Sequence, residues 1–461
     1  MLETIPQVFV EGGAARRLAN FVDLSKAWIL LYPQAAHSAL GNDLRRQCTA
    51  LQASAKPCAI ARIEPAPEGL LTLGKARLAA QRFWSACHAF RASVASWSAR
   101  HAFRASAASW SACHASRASE SIGPATGTND SGLSLVAIGG GSVMDLAKVM
   151  RWLPSPERAT ALAGLSDEAW LKDLQSGLEQ DERLRLLLLP TTAGTGSEAT
   201  PYATLWGQHK HSFHHPRAFA DLAIIDEELT YGMPWTLTRD SGLDALSHAL
   251  DVLWNRASDA ALRARATEVA RQIVDALWQL RPDPETSKTE NPPARRAMAE
   301  AAMHAGQLIA RTESSLVHAL SYPLTLHENL SHGLACAQWI AAVAAIAANA
   351  SPELGEALDT IWVGSTAGEH DAVALIQTNG KGPLTTLDDQ ELRIARIAGW
   401  LASLGVMSRR IDDEAGKAAL AVALEHPRGR NFVGVVNRVS LPQLPEFVWN
   451  IAQSEGDPAV D

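Results

Sequence analysis

The sequence predicts two halves of different class, an α/β half built on a parallel sheet and then an all-helical half. Three observations carry this. Short apolar runs alternate with amphipathic ones through the first half, as strands joined by helical crossovers do. Two of those runs pass directly into loops of glycines and small hydroxylated residues. From about Met233 the strand signal disappears, and Ala, Leu and charged residues recur at helical spacing. The halves are 1–232 and 233–461, with residues 84–131 standing apart inside the first. Such a pairing places a cleft between the halves, where ligands commonly bind.

Composition bounds the function. The chain has 461 residues, 47% hydrophobic and 20% charged, with a formal net charge of −8 and no long basic run, so nothing calls for nucleic acid. The first thirty residues carry Glu3, Glu11, Arg16, Arg17 and Asp23 without an apolar core, and no signal peptide is expected. The most membrane-like run, Gly333 to Ala350, is mostly Ala and is interrupted by Gln338 and Asn349, which reads as a buried helix and not a span. Five cysteines (48, 58, 87, 113 and 336) are scattered and lack a CxxC, which fits a reducing cytoplasm.

The elements follow in order. Trp28–Tyr32 and Cys58–Ile63 read as strands, and Ala35–Ala50 and Leu71–Gln81 as helices. Residues 84–121 repeat with a period of 13, placing Trp84, Trp97 and Trp110 in register. The Ala/Ser filling buries little surface, so an exposed, duplicated insertion is expected, and His88, His101 and His114 are not read as metal ligands. Leu135–Ile138 is a buried-strand run followed at once by Gly139-Gly140-Gly141-Ser142 and an amphipathic segment through Trp152. Strand, glycine turn and helix together aim backbone N–H groups and the positive helix end at a phosphate, although a GGGS alone can be merely a turn. Leu186–Leu189 is the next strand and runs into Pro190–Glu198, PTTAGTGSE, where Thr191, Thr192, Thr195 and Ser197 offer hydroxyls to a closely approaching cofactor. Residues 209–215, HKHSFHH, read as a solvated loop, and Ala223–Asp226 as the last strand.

In the helical half the central stretch is Asp240–Asp251, DSGLDALSHALD. Leu243, Leu246 and Leu250 recur at helical spacing, so Asp244 and His248 project from one face one turn apart. An oxygen and a nitrogen so placed can reach one divalent ion at ~2.0–2.2 Å, though a solvated Asp/His pair has the same spacing. Downstream, His318 lies on a helix that Pro323 should end or kink, and His332 opens the next helical run, SHGLACA. The four make a three-nitrogen, one-oxygen set that suits Fe²⁺ or Zn²⁺ without choosing between them.

GGGSVMDLAK (139–148), PTTAGTGSE (190–198), GLDALSHAL (242–250) and the His318/His332 pair, in this order, resemble the iron-containing, or group III, alcohol dehydrogenases, over about Val8 to Asn431 apart from the insertion. The resemblance implies a dehydroquinate synthase-like fold: an N-terminal dinucleotide-binding α/β domain and a C-terminal helical metal-binding domain. It implies Asp244, His248, His318 and His332 as metal ligands. It places Gly140, Gly141, Ser142, Asp145, Thr191, Thr192, Thr195 and Ser197 against an NAD(P)H cofactor, with Lys210 near its ribose. Hydride would pass between that cofactor and a small aldehyde or alcohol in a cytoplasmic homo-oligomer, a dimer, with no nucleic-acid or membrane partner.

Two positions depart from the family pattern. The histidine expected four residues after the third ligand is Tyr322, and a phenol is a poorer proton relay near neutrality than an imidazole. No acid follows the second strand, which ends Leu31-Tyr32-Pro33-Gln34, so the feature that disfavours a ribose 2′-phosphate is missing. Within the family, HALSYPL (318–324) and GLDALSHAL…LWN (242–255) look most like the phosphonoacetaldehyde reductases. Arg311, seven residues before His318 and so two helical turns away on roughly the same face, is the expected contact for the phosphonate, with Arg428 and Arg430 of the PRGRN loop as further candidates. Two readings remain beside this one. A lyase of the dehydroquinate synthase type needs a lysine-rich pocket and a different ligand set; an inactive paralogue is disfavoured by four intact ligands. A general short-chain alcohol dehydrogenase of the same family is the alternative on substrate.

Overall fold

The computed structural model describes residues 6–22, 27–31, 62–65, 134–152, 169, 185–206, 210–282, 291–328, 330–362 and 388–433. The insertion at 84–131, the helices expected at 35–50 and 71–81, and cysteines 48, 58, 87 and 113 lie outside these residues. The chain forms two compact units that interleave along the sequence. One comprises Met1–Gly13, Pro190–Pro201 and Ile224–Asp461, and the other Ala14–Leu189 and Tyr202–Ala223.

The strands are β1 (Gln7–Val10), β2 (Ala27–Leu31), β3 (Arg62–Pro65), β4 (Ser134–Gly139), β5 (Arg185–Pro190), β6 (Tyr202–Trp206), β7 (Lys210–His214) and β8 (Leu222–Ile225). Six of them form a sheet in the order β1-β8-β5-β4-β2-β3. The pairings of β2 with β3, β2 with β4, and β5 with β8 are parallel. β4 and β8 are buried at every position and β5 at all but its first, which is why they read as continuous apolar runs instead of alternating ones. Helix α1 (Gly141–Trp152) starts two residues after β4 and packs back on it, as the strand–glycine–helix pattern predicts.

One expectation is corrected here. Lys210–His214 is not a loop but the second strand of an antiparallel hairpin with β6, in register Tyr202↔His214 through Trp206↔Lys210. Histidine carries little strand signal, and among the described side chains of this run only Phe213 is buried. Tertiary contacts decide it instead. From α1, the fully buried Lys148 donates through Nζ to the Tyr202 carbonyl at 2.6 Å, and Asp145 Oδ2 accepts the Thr204 N–H at 2.8 Å.

The helical unit holds α2 (Trp235–Leu253), α3 (Ala260–Leu280), α4 (Pro292–Thr312), α5 (Leu316–His327), α6 (His332–Ala350), α7 (Pro352–Trp362), α8 (Asp389–Ser403) and α9 (Glu414–Glu425). Helix α2 is central and packs against α3, α4, α5 and α6. Its Leu243, Leu246 and Leu250 are fully buried, each contributing about 1.5–3 kcal/mol of apolar burial. The starts are written locally. Asp259 caps α3, Asn291 caps α4 ahead of Pro292, Asp388 and Glu391 form a reciprocal capping box on α8, and Asp413 caps α9. Helix α6 is long and apolar enough to cross a membrane, but 72% of its apolar window is buried in the fold, as a core helix requires.

Pro323 does not end its helix. α5 continues past it to His327, and Pro323 itself is exposed. The ring removes one backbone donor, but hydroxyls on the same helix make local bonds, Ser321 Oγ to the His318 carbonyl at 2.8 Å and Thr325 Oγ1 to the Ser321 carbonyl at 3.2 Å.

Candidate metal centre

Three histidines from three helices converge on one carboxylate oxygen. Asp244 Oδ1 lies 3.9 Å from His248 Nε2, 3.9 Å from His318 Nε2 and 3.8 Å from His332 Nε2. The His248 and His318 rings stack at 4.8 Å, and the His332 ring meets His318 edge-on at 5.3 Å. Helix α2 supplies Asp244 and His248, α5 supplies His318, and α6 opens with His332. Separations of 3.8–3.9 Å are too long for hydrogen bonds, which need about 2.7–3.2 Å. They are close to the ~3.3–3.6 Å between neighbouring ligands of one tetrahedral ion bound at ~2.0–2.2 Å.

The donors fit a divalent cation on their own chemistry. Asp244 is 4% exposed, and among the described residues its Oδ1 has no hydrogen-bond partner. His248 Nδ1 is likewise buried and unpartnered among them. A buried carboxylate oxygen without a partner costs several kcal/mol, which a cation at the centre of the four would offset.

Asp251, which the sequence reading did not assign, holds the cluster in place. It lies two turns beyond Asp244 on α2, is completely buried, and reaches across to the start of α5. Its carboxylate accepts the backbone N–H of Ser315 at 2.6 Å, of Val317 at 3.2 Å and of His318 at 3.4 Å, capping α5 from another helix. Its Oδ2 also lies 2.8 Å from His318 Nδ1, and Trp254 Nε1 donates to Oδ1 at 2.9 Å. That leaves Nε2 of His318 facing the cluster, the carboxylate–histidine arrangement that orients a metal ligand. Burial pushes the Asp251 carboxyl up to about 6, against the hydrogen bonds from Ser315, Trp254, Val317 and His318 that hold it down. The available signal was an acid seven residues after Asp244, on the same face of α2.

The approach of α6 to α2 depends on Gly333. A side chain there would collide with the Asp240 carbonyl oxygen and lie 3.0 Å from Asp244 N, so only glycine lets His332 reach Asp244. Ser331 Oγ donates to Asp240 Oδ2 beside this crossing and ties the two helix starts together.

Tyr322 lies beside His332. Its ring is 6.5 Å from that of His332 and nearly parallel, and the His426 ring meets it edge-on at 5.3 Å. Arg311 does not share a helix with His318. α4 ends at Thr312 and α5 begins at Leu316, and between them Glu313 turns the chain with φ 65° and ψ 171°. The seven-residue spacing therefore places the two on no common face, and Arg311 is exposed at the end of α4. Arg428 Nη1 pairs with Glu313 Oε2 at 3.1 Å, and Arg430 is exposed in the same short turn, which packs on α5.

The cofactor candidates fall on both units. In one, Gly140, Gly141 and Ser142 open α1, with Ser142 exposed and the Gly140 carbonyl taken by Val143 and Met144. Asp145 uses one oxygen to hold β6, and Lys210 lies on β7 with its side chain outside the described residues. In the other, Thr192 and Thr195 are partly exposed, whereas Thr191 and Ser197 are buried at 6% and 5% exposure. That loop packs through Gly196, at φ 60°, on Gly306 of α4, where a side chain on Gly196 would lie 2.6 Å from Gly306 Cα.

Comparison with known proteins agrees with this arrangement. The profile of the iron-containing alcohol dehydrogenases matches residues 128–227, and that of the family's C-terminal region matches 238–421, together more than half of the chain. A phosphonoacetaldehyde reductase of Streptomyces viridochromogenes is 35% identical over 209 residues, 44% of this chain and 50% of that one. A sulfoacetaldehyde reductase of Bilophila wadsworthia is 31% identical over 204 residues, 44% of this chain and 49% of that one. The chain thus spans about half the length of these relatives. An iron-containing alcohol dehydrogenase of Thermotoga maritima shares the fold, with a TM-score of 0.61, 23% identity and 98% of each chain covered. With three histidines gathered on one buried carboxylate, and both regions matched in order, the chain belongs to the iron-containing alcohol dehydrogenase family.

Proposed function

We propose that the protein is a metal-dependent aldehyde reductase and alcohol dehydrogenase, transferring hydride between NAD(P)H and a small aldehyde. The observation that carries this is the convergence of His248, His318 and His332 on the unpartnered Asp244 Oδ1. When bound there, a divalent ion supplies Lewis acidity toward a carbonyl oxygen. The chain's own residues do the rest. Asp251 orients the His318 ring through its Nδ1, leaving Nε2 toward the cluster. The start of α1 at Gly140–Ser142 is our candidate for the cofactor's diphosphate, which backbone N–H groups at a helix start suit. Tyr322 flanks His332 and lines the reacting space as an aromatic wall with a hydroxyl. Without an acid after β2, NADPH is expected to serve at least as well as NADH.

For the substrate we favour phosphonoacetaldehyde, reduced to 2-hydroxyethylphosphonate. Two relatives are named for two-carbon aldehydes bearing an anionic group, which supports an anionic aldehyde over an uncharged one. Such a group needs cations near the ligand cluster. The 426–430 turn supports Arg428 and Arg430 over Arg311, because His426 touches Tyr322, which touches His332. An uncharged short-chain aldehyde is the alternative.

The test measures bound metal together with NAD(P)H oxidation against phosphonoacetaldehyde, sulfoacetaldehyde and propanal. Wild type should turn over the anionic aldehydes with the higher kcat/KM. Arg430→Ala or Arg428→Ala should cost about 1.5–3 kcal/mol on the phosphonate, roughly 10–100-fold, and leave propanal within a few-fold. Equal kcat/KM for propanal and phosphonoacetaldehyde in wild type defeats the substrate assignment. No turnover of any aldehyde by metal-loaded protein defeats the reductase.

A further inference from the structure

We propose that His426 sets the chain length of the aldehyde this protein accepts, by holding Tyr322 as a fixed wall where substrate enters. This rests on the reductase reading above and adds to it the residue that limits the substrate. The four donors of the cluster are not equally covered. The side chains of His318, Asp244 and His248 are 3%, 6% and 12% exposed, whereas that of His332 is 26% exposed. The cluster is therefore open to solvent mainly on its His332 side, and a substrate reaches it from there.

Tyr322 stands on that side. It follows His318 by one turn of α5, so its ring projects from the face that carries this histidine, and it stacks against His332. His426 comes from a different element, the turn that follows α9, and meets the Tyr322 ring edge-on at 5.3 Å, a separation at which such ring pairs attract. Tyr322 is half-buried and His426 exposed, so the two rings border open space and not the core. The imidazole is itself held: the Arg428 backbone N–H donates to His426 Nδ1 at 3.1 Å. A tyrosine ring at such a boundary otherwise exchanges rotamers within nanoseconds. Rotation of Tyr322 out of its observed orientation gives up both ring contacts, so the anchored imidazole keeps it stacked on His332.

The consequence is a limit on the substituent carried by the carbonyl carbon. A chain of two or three carbons stops short of the wall. Each further methylene has to displace the Tyr322 ring and break its contact with His426. The substrate class is thus short and unbranched, whatever group ends the chain. Pockets that discriminate by single methylenes do so by about 10–200-fold, which sets the scale of the effect.

The test is the ratio of kcat/KM for propanal to that for hexanal, measured on the metal-loaded full chain together with its metal content. Wild type should favour propanal by about 100-fold. His426→Asn keeps the turn, because an Asn side chain accepts the N–H two residues on as Nδ1 does, but it removes the ring. It should narrow the ratio at least about 10-fold with bound metal unchanged. His426→Phe keeps a ring against Tyr322 and should hold the wild-type ratio. Tyr322→Ala removes the wall itself, and hexanal should gain on propanal there even if neither His426 variant folds. A wild type indifferent to chain length overturns the inference and leaves the reductase reading intact. So does a wild-type ratio in folded His426→Asn, since a purely structural defect lowers both aldehydes alike. Equal relaxation in His426→Asn and His426→Phe also overturns it, by tracing the effect to the turn and not the ring. Metal-loaded protein that turns over neither aldehyde overturns both readings.

Discussion

At the residue scale, two side chains carry unusual constraints. Asp251 caps α5 and orients His318 with the same carboxylate, and both duties need two acceptor oxygens. Asp251→Asn keeps the volume but replaces one acceptor with a donor. It should weaken metal binding about 10–100-fold, measured by titration with Zn²⁺, and leave cofactor binding to the GGGS turn largely unchanged. Unaltered metal affinity in a folded Asp251→Asn protein would show that His318 needs no orienting partner. Glu313 is the second case. Its φ of 65° with ψ of 171° belongs to a region glycine occupies readily, at a cost of about 1–3 kcal/mol for other residues. Its ion pair with Arg428 is half-exposed and returns at most about 1 kcal/mol. Glu313→Gly should therefore raise stability by about 1 kcal/mol in urea unfolding, whereas Glu313→Ala should not. A lower midpoint for Glu313→Gly would mean that the Arg428 pair is worth more than the strain it accompanies.

At the element scale, the α2–α6 crossing decides whether the centre exists. Gly333 is the second residue of α6, and the Asp240 carbonyl occupies the space its side chain would need. Gly333→Ala must push the start of α6 off α2 and carry His332 away from Asp244. The expected cost is about 2–3 kcal/mol of stability together with loss of stoichiometric metal, read by calorimetry and metal analysis. Gly196 against Gly306 is the same device in the PTTAGTGSE loop. The crossings also explain what the sequence reading missed at this scale. Lys210–His214 is strand because α1 holds the paired strand through Asp145 and Lys148, and Arg311 is separated from His318 by a turn that no helical periodicity reveals.

At the scale of the whole molecule, metal binding should be coupled to the stability of the helical unit, since its ligands come from α2, α5 and α6. Saturating metal at about 100 times Kd adds ~2.7 kcal/mol to the folded state. Removing it with a chelator should lower Tm by roughly 5–10 °C, at about 2–4 °C per kcal/mol for a unit of this size. A thermal scan that is identical with and without metal counts against a preformed site. Deleting residues 84–119 should leave reductase activity within a few-fold, because the motif-bearing strands resume only at Ser134. A folded but inactive deletion protein would assign the repeat a part in the site.

What the sequence determined by itself is local and periodic. Buried parallel strands are continuous apolar runs, so β4, β5 and β8 were legible, as were α2 from its leucine spacing and the start of α6 at His332. Asp244 and His248 could be paired because one helical turn separates them, whereas His318 and His332 could be added as donor types only, with no spacing that fixes their distance from Asp244. The tertiary structure alone decided which atoms meet. It brought Asp251 across to His318 on α5, made Cys336 a neighbour of Asp244, and placed His426 on Tyr322, contacts between residues 67 to 104 positions apart. The physical reason is that a helix fixes side chains only within its own turns. Which helices touch, and how closely, is set by packing at positions such as Gly333, where the deciding feature is an absent side chain.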